Sequence, residues 1–228
     1  IVAGLINGLL VSKGQLAPFI ATLGGLAAYR SLAMALVAGG EYRTDGTGLF
    51  GKLGAGGIAI PGTNVAPNAT HPIPLLFPWP VLIFGVVAFI AWTILNRTRL
   101  GRYIVAIGSN ERSAIYSAIK VDGVKILTYS LLGLCTGIAA LLVASRLSSI
   151  SSSSSGTLYE LDVIAAVVIG GTRMRGGAGT VVGTVIGVLI LGVIQNMLNL
   201  LQVSVYLQGL VKGLVIVGAV LLQRTERP

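Results

Sequence analysis

The sequence predicts an all-α fold, a polytopic bundle of transmembrane helices, on three observations. Hydrophobic residues make up 54% of the 228, charged residues only 10%, and the mean hydropathy is +0.88; a soluble domain carries about 25% charged residues. Apolar runs long enough to cross a bilayer recur along the chain, separated by polar stretches. Many of the 32 glycines fall inside those runs, as in membrane helices that pack closely. About six to seven membrane segments are expected, one of them short or broken, within a single domain over 1–228.

Residues 1–11 read as the tail of a membrane helix, with Asn7 as its polar group, and 12–14 as a turn. Residues 19–38 form a crossing, because about 20 residues at 1.5 Å rise span the ~30 Å hydrocarbon core. Arg30 falls inside it. Either it is paired or functional, as an intramembrane charge usually is, or the helix ends early and it faces protein or water. Residues 39–74 are a long connection rich in Gly, Pro, Asn and Thr, assigned to the extracytoplasmic side. Such length suits a functional or disordered loop. It holds His71, read as a loop residue, and the sequon Asn68-Ala69-Thr70, read as chance.

Residues 75–95 cross, with Trp79 and Trp92 near the two ends as an aromatic belt would place them. Residues 126–144 cross back, with Gly133 and Gly137 forming a GxxxG step. The Ser-rich stretch 148–155 reads as a flexible outside loop. Residues 158–171 are apolar but would reach only about 21 Å as helix. They either cross in a broken form buried in protein or dip in and return. Gly179, Gly183 and Gly187 make successive GxxxG steps on one face of 181–201, the mark of a close helix–helix contact. Residues 203–222 are the last crossing, with Lys212 inside it, its ammonium either snorkelling or paired in the bundle.

The chain is organised around 96–125. This stretch carries Arg97, Arg99, Arg102, Arg112, Lys120 and Lys125 against Glu111 and Asp122, and a basic loop between two spans belongs on the cytoplasmic side. Ile104, Ile107, Ala114, Ile115, Ala118 and Ile119 offer an apolar stripe, and Ser109 or Asn110 can cap a second short helix. With this loop inside and every run crossing, eleven of the sixteen Lys and Arg lie inside, three outside and two within the membrane. If 158–171 only dips, Arg173, Arg175, Arg224 and Arg227 all move outside, so the positive-inside rule favours the crossing. Composition alone leaves the basic loop equally open to a purely topogenic role.

The order of residues says more. A Thr-x-x-Gly-Arg start runs from Thr98 to Arg102, followed by Ala106, Gly108, Asn110 and Glu111, then Ser117, Ala118 and Ile119. A second block, YELDVIAAVVIGG, occupies 159–171, and a third runs through GTVVGTVIGVLILGVIQNMLNLL. In these blocks the chain resembles the permease subunits of ABC importers of the ribose-type sugar family. The likeness covers nearly the whole chain and is weakest over 39–71. Ala118 stands where the family usually has Gly, and Arg112 and Ser113 where small residues are common. The resemblance implies a helical bundle of the ABC permease type with further helices upstream, set in the lipid of a bacterial inner membrane. It implies partners: a second permease subunit, two ATP-binding subunits and an extracytoplasmic sugar-binding protein. ATP and Mg would be held by the partner, with no cofactor on this chain. The coupling contacts to the ATPase would involve Gly101, Arg102, Ala106, Gly108, Asn110, Glu111, Ala114 and Ile119.

Other functions are disfavoured by the residues themselves. The net charge of +9 sits at segment ends and forms no continuous stripe, which argues against nucleic acid. No nucleophile–base set, phosphate loop or Cys/His metal cluster is visible, and Cys135 has no second Cys to pair with. Glu160 and Asp162 begin the short run, where they complement the helix dipole or line the outer mouth of a translocation path. Asn196 and Asn199 lie three apart on a helix and offer hydrogen bonds either to a sugar or between helices. An ion-coupled secondary transporter is the alternative, together with an ABC permease for a non-sugar solute. A proton-coupled carrier needs carboxylates in mid-span, whereas here they sit at segment ends.

Overall fold

The computed structural model describes residues 1–37, 40–44, 48–64 and 74–225. His71, the Asn68 sequon and Arg227 lie outside the described residues. The chain divides into two compact units, Ile1–Val87 with Asp122–Ser155, and Ala88–Val121 with Gly156–Pro228, where the sequence marks no boundary.

The first unit opens with α1 (Val2–Ser12) and α2 (Pro18–Leu36). Pro18 sits at the start of α2, where its missing N–H costs nothing. The Tyr29 hydroxyl joins the two helices, reaching the Ala3 carbonyl at 3.2 Å and Asn7 Oδ1 at 3.4 Å. Arg30 does not end the helix; its guanidinium donates to the Ser155 carbonyl at 3.4 Å. The long connection is more structured than its composition suggests. It contains β1 (Glu41–Arg43), α3 (Leu49–Ala55) and β2 (Gly57–Asn64), followed by β3 (Pro74–Pro78), which pairs antiparallel with β2.

The expected crossing 75–95 is displaced accordingly. Its first residues belong to β3, and the helix α4 is Trp79–Arg97. Pro78 and Pro80 explain the shift: a residue preceding Pro is pushed to extended backbone, and Pro is tolerated only in a helix's first turn. The crossing expected at 126–144 lengthens at both ends into α7 (Val121–Leu147). Gly4 and Gly8 of α1 lie against α7, where a Cβ on Gly8 would come 2.9 Å from Ile126 Cα and one on Gly133 would come 3.1 Å from Gly4 Cα. After α7, β4 (Ser149–Ser151) pairs antiparallel with β1 in the register Glu41↔Ser151, Tyr42↔Ile150, Arg43↔Ser149. The Ser-rich stretch thus begins in a strand and continues in a hydrogen-bonded turn. Ser155 Oγ accepts from the Ser151 N–H at 3.1 Å and Ser152 Oγ donates to the Gly40 carbonyl at 3.0 Å, because short hydroxyl side chains satisfy nearby backbone groups.

In the second unit, α4 continues into α5 (Arg99–Ser109) and α6 (Glu111–Tyr116), and beyond 156 come α8 (Tyr159–Ile169), α9 (Val181–Leu200) and α10 (Val205–Thr225). The fold is mostly helical, as expected, with two small two-stranded sheets beside the helices. Among the described residues, α2, α4, α7 and α9 are long and apolar enough to cross a membrane, while α1 and α8 are shorter, so these four do not by themselves confirm six to seven segments. Large apolar side chains such as Phe19, Leu36, Phe89 and Leu189 stand exposed along these helices, as lipid-facing surfaces would.

Candidate functional site

The basic stretch 96–125 folds as a chain of capped helices. Thr98 is extended at the N-cap of α5, and its hydroxyl accepts from the Gly101 N–H at 3.3 Å while donating to the Ile94 carbonyl at 2.6 Å. Asn110, not Ser109, caps α6: its Oδ1 accepts from the Ser113 N–H at 3.2 Å, and Glu111 occupies the first turn, where a carboxylate suits the helix dipole. Gly101 is buried, and a Cβ there would overlap the carbonyls of Leu95 and Ile94. That close approach sets the turn from α4 into α5.

The end of α6 is a Schellman motif, with the Ile119 N–H bonding Ala114 O at 3.1 Å and the Ala118 N–H bonding Ile115 O at 3.0 Å. Ala118 has φ 58°, the left-handed region that costs an alanine and not a glycine.

Burial sorts the predicted coupling residues. Arg102, Asn110 and Glu111 are exposed; Ala106, Gly108 and Ile119 are half-buried. Ala114 is only 3% exposed, its side chain packed within the chain. Its neighbours Ile115 and Tyr116, at 55% and 89%, present the surface instead. The C-terminal end of α5 rests on the glycine loop before α9. A Cβ on Gly108 would lie 2.8 Å from the Gly177 nitrogen, and Gly176 and Gly177 take φ of 86° and 79° to allow the approach. Between α5 and this loop lies a cavity of about 440 Å³ lined by Leu95, Ile104, Arg173 and Thr180 among others.

Beyond the loop, Gly179 abuts the Thr172 side chain, and Gly183 and Gly187 face the end of α8, where added Cβ atoms would overlap the Gly170 and Ala166 carbonyls. α8 reaches only about 16 Å and stops at Gly171, φ 84°. Ala165, Ala166 and Val168 are among the most buried residues of the chain. The C-terminal half of the short helix is thus packed on protein, while Tyr159, Leu161, Val163 and Ile164 stand exposed.

The candidate path residues separate. Asp162 is joined by Lys212 of α10 at 2.9 Å, with side chains 38% and 31% exposed. Asn199 accepts from Gln208 Nε2 at 3.1 Å. Glu160 and Asn196 are exposed and line none of the cavities described here. Sequence reasoning missed Gln195 and Gln208. Gln195 Nε2 donates to Gln208 Oε1 at 2.8 Å, and Gln208 Nε2 donates on to Val203 O at 2.8 Å. The signal was present: Gln195 and Asn199, like Gln208 and Lys212, lie four apart and so share a helix face. Asp162, Gln195 and Lys212 stand together in the wall of a cavity of about 270 Å³ between α8, α9 and α10.

Comparison with known proteins places this architecture. Residues 1–220 match the family described as "Branched-chain amino acid transport system / permease component". The chain is 43% identical over 227 residues to the ribose import permease protein RbsC of Escherichia coli (strain K12), covering 98% of this chain and 65% of that protein. It is 36% identical over 221 residues to the D-allose transport system permease protein AlsC of Escherichia coli (strain K12), covering 97% and 62%. It is 34% identical over 222 residues to the L-arabinose transport system permease protein AraH of Escherichia coli (strain K12), covering 97% and 62%. The chain thus spans less than two thirds of the length of these relatives. No solved structure matches it. The chain belongs to the family of branched-chain amino acid transport system permease components.

Proposed function

We propose that the chain is the membrane-spanning permease portion of an ATP-driven importer for a monosaccharide of the aldose class. The observation that carries this is identity over nearly the whole chain to permeases named for ribose, D-allose and L-arabinose. The fold suits the role. A motor's closure reaches membrane helices only through an element that does not bend, and α5 and α6 are each capped, with α5 seated on a glycine loop. In this reading an ATP-hydrolysing subunit docks on the exposed face bearing Arg102, Glu111, Arg112, Ile115 and Tyr116. Apolar side chains there fill a groove with charges at its rim. ATP and Mg belong to that subunit, of which the complex holds two. A second permease subunit completes the path, and an extracytoplasmic binding protein delivers the sugar at a bacterial inner membrane.

The approach of Gly108 to Gly177 supports a particular sidedness. Residues in contact lie on the same side of a membrane, and α7 lies between these two in sequence. If α7 crosses, the stretch 148–171 must bring the chain back. In this reading α8 crosses as a short segment packed by its C-terminal half instead of dipping, with the irregular backbone after it held against protein.

Reconstitution of the permease with its ATPase and binding protein tests the proposal. Radiolabelled ribose should enter liposomes only with ATP, and sugar-loaded binding protein should raise ATP hydrolysis. Uptake driven by a pH or sodium jump without ATP would sink it. Leucine taken up in preference to every aldose would keep the motor and change the substrate class.

A further inference from the structure

Two cavities of the second unit adjoin. The cavity of about 440 Å³ between α5 and the glycine loop takes in Ala91 and Leu95 of α4 and Val181 and Thr184 of α9. A second, of about 390 Å³, lies farther along the same two helices, among Ala88, Phe89, Trp92, Val182 and Ile186. Val181 belongs to both walls. Together they form one groove, which covers residues 88–95 of α4, about 11 Å of helix. The far end is hydrocarbon and ring. Phe89 and Trp92 stack with centroids 6.1 Å apart, and Phe89, Val182 and Ile186 stand exposed. The end at α5 carries charge. Among the described residues, Arg173 is the one charged side chain in either wall, and its guanidinium has neither ion pair nor hydrogen bond. Arg97 lies over the Trp92 ring, 5.9 Å from its centroid, and brings a second cation. The first turn of α9, capped by Thr180, adds the positive end of a helix dipole.

We propose that this groove binds one anionic phospholipid, its phosphate held by Arg97 and Arg173 and an acyl chain laid along α4 and α9 over Phe89, Trp92, Val182 and Ile186. Lipid of any kind covers an apolar face in a bilayer, so the apolar wall alone selects nothing. The two arginines select, because no carboxylate stands in either wall to meet them. A guanidinium matches phosphate oxygens in pairs, and basic pockets between membrane helices take anionic headgroups. A phospholipid carries the charge and the chain already joined. A protein helix in the same groove would have to present a carboxylate at the level of Arg173. Phosphatidylcholine offers the same phosphate but sets its own cation beside the two arginines. The bound lipid packs against α5, and the site does not depend on which solute the permease carries.

The test is quenching of tryptophan fluorescence in the full-length permease, with Trp92 kept as its sole tryptophan and the protein reconstituted in phosphatidylcholine vesicles. Phosphatidylglycerol or phosphatidylcholine, each brominated high on one acyl chain, is then added in increasing fractions. Brominated phosphatidylglycerol should bind beside Trp92 roughly 5- to 30-fold more strongly than brominated phosphatidylcholine, the contribution of one to two arginines near the membrane surface. Arg173→Gln should cut that preference about 5-fold. Lys13→Gln removes a cation that lines neither cavity and should leave the preference unchanged. Unbrominated phosphatidylglycerol should reverse the quenching, whereas soluble glycerol phosphate, which lacks the chain, should not. The comparison of the two lipids in the parent protein decides even where Arg173→Gln does not fold. Equal quenching by both lipids makes the groove ordinary boundary surface and overturns the proposal, as does a preference that survives Arg173→Gln. Protection of Trp92 from both lipids overturns it too, the groove then being filled by a second permease subunit or another helix. Reversal by glycerol phosphate would leave a site for free phosphate and no lipid site.

Discussion

Ala118 shows how much one methyl group can cost. Its φ of 58° closes the Schellman turn after α6, and an alanine pays about 1 kcal/mol for left-handed backbone that glycine visits freely. Ala118→Gly should therefore raise the stability of the purified permease by about that amount, seen as a higher melting temperature in detergent. Gly183 is the opposite case. A side chain there meets the Gly170 backbone, which cannot swing away, so Gly183→Leu should destabilise by about 1–3 kcal/mol. Gly213→Leu is the matched control, since nothing lies within 4 Å of a Cβ at Gly213; it should leave the melting temperature near wild type. The glycine spacing was legible in the sequence because GxxxG repeats at helical period. The strained alanine was legible only as a departure from a family pattern, because φ leaves no mark in residue order.

At the scale of elements, the basic segment was the best-written part of the chain. Thr98 and Asn110 are N-cap residues by type, and both cap. Which face of α6 is covered was not written there. Ala114 and Ile115 are both apolar, and only packing decides that one is 3% exposed and the other 55%. Ile115→Asp with Tyr116→Asp should accordingly leave the permease folded and inserted while the ATPase no longer co-purifies and uptake falls. Ala114→Asp should instead cost the fold, since it buries a carboxylate. Wild-type co-purification with the surface pair changed would return 96–125 to a topogenic role. The small sheets escaped the sequence reading. Glu-Tyr-Arg and Ser-Ile-Ser are too short for a two-residue alternation to register, and their pairing is set by helices far apart in sequence.

For the molecule as a whole, the pairing of β1 with β4 adds a constraint independent of charge. Both strands must lie on one side of the membrane, and α4 and α7 lie between them in sequence. Two crossings satisfy this. Single cysteines in a Cys135→Ser background should therefore label with an impermeant maleimide from outside at Ser154, and not at Ser113 or Thr225. Cys135 is exposed in the structure, so it must be removed first. Strong outside labelling at Ser113 in sealed cells would overturn this sidedness.

The same ribbon imposes an order in time. Arg43 pairs with Ser149, and a ribosome adding about 5–20 residues per second takes roughly 5–20 s to supply the stretch between them. Throughout that interval β1 is already made and has no strand to bond. Its brevity, with Glu41 and Arg43 on either side of Tyr42, keeps so long-lived an edge from recruiting a neighbouring nascent chain. The ribbon is then a late joint of its unit, a latch that only a fully threaded α7 can fasten.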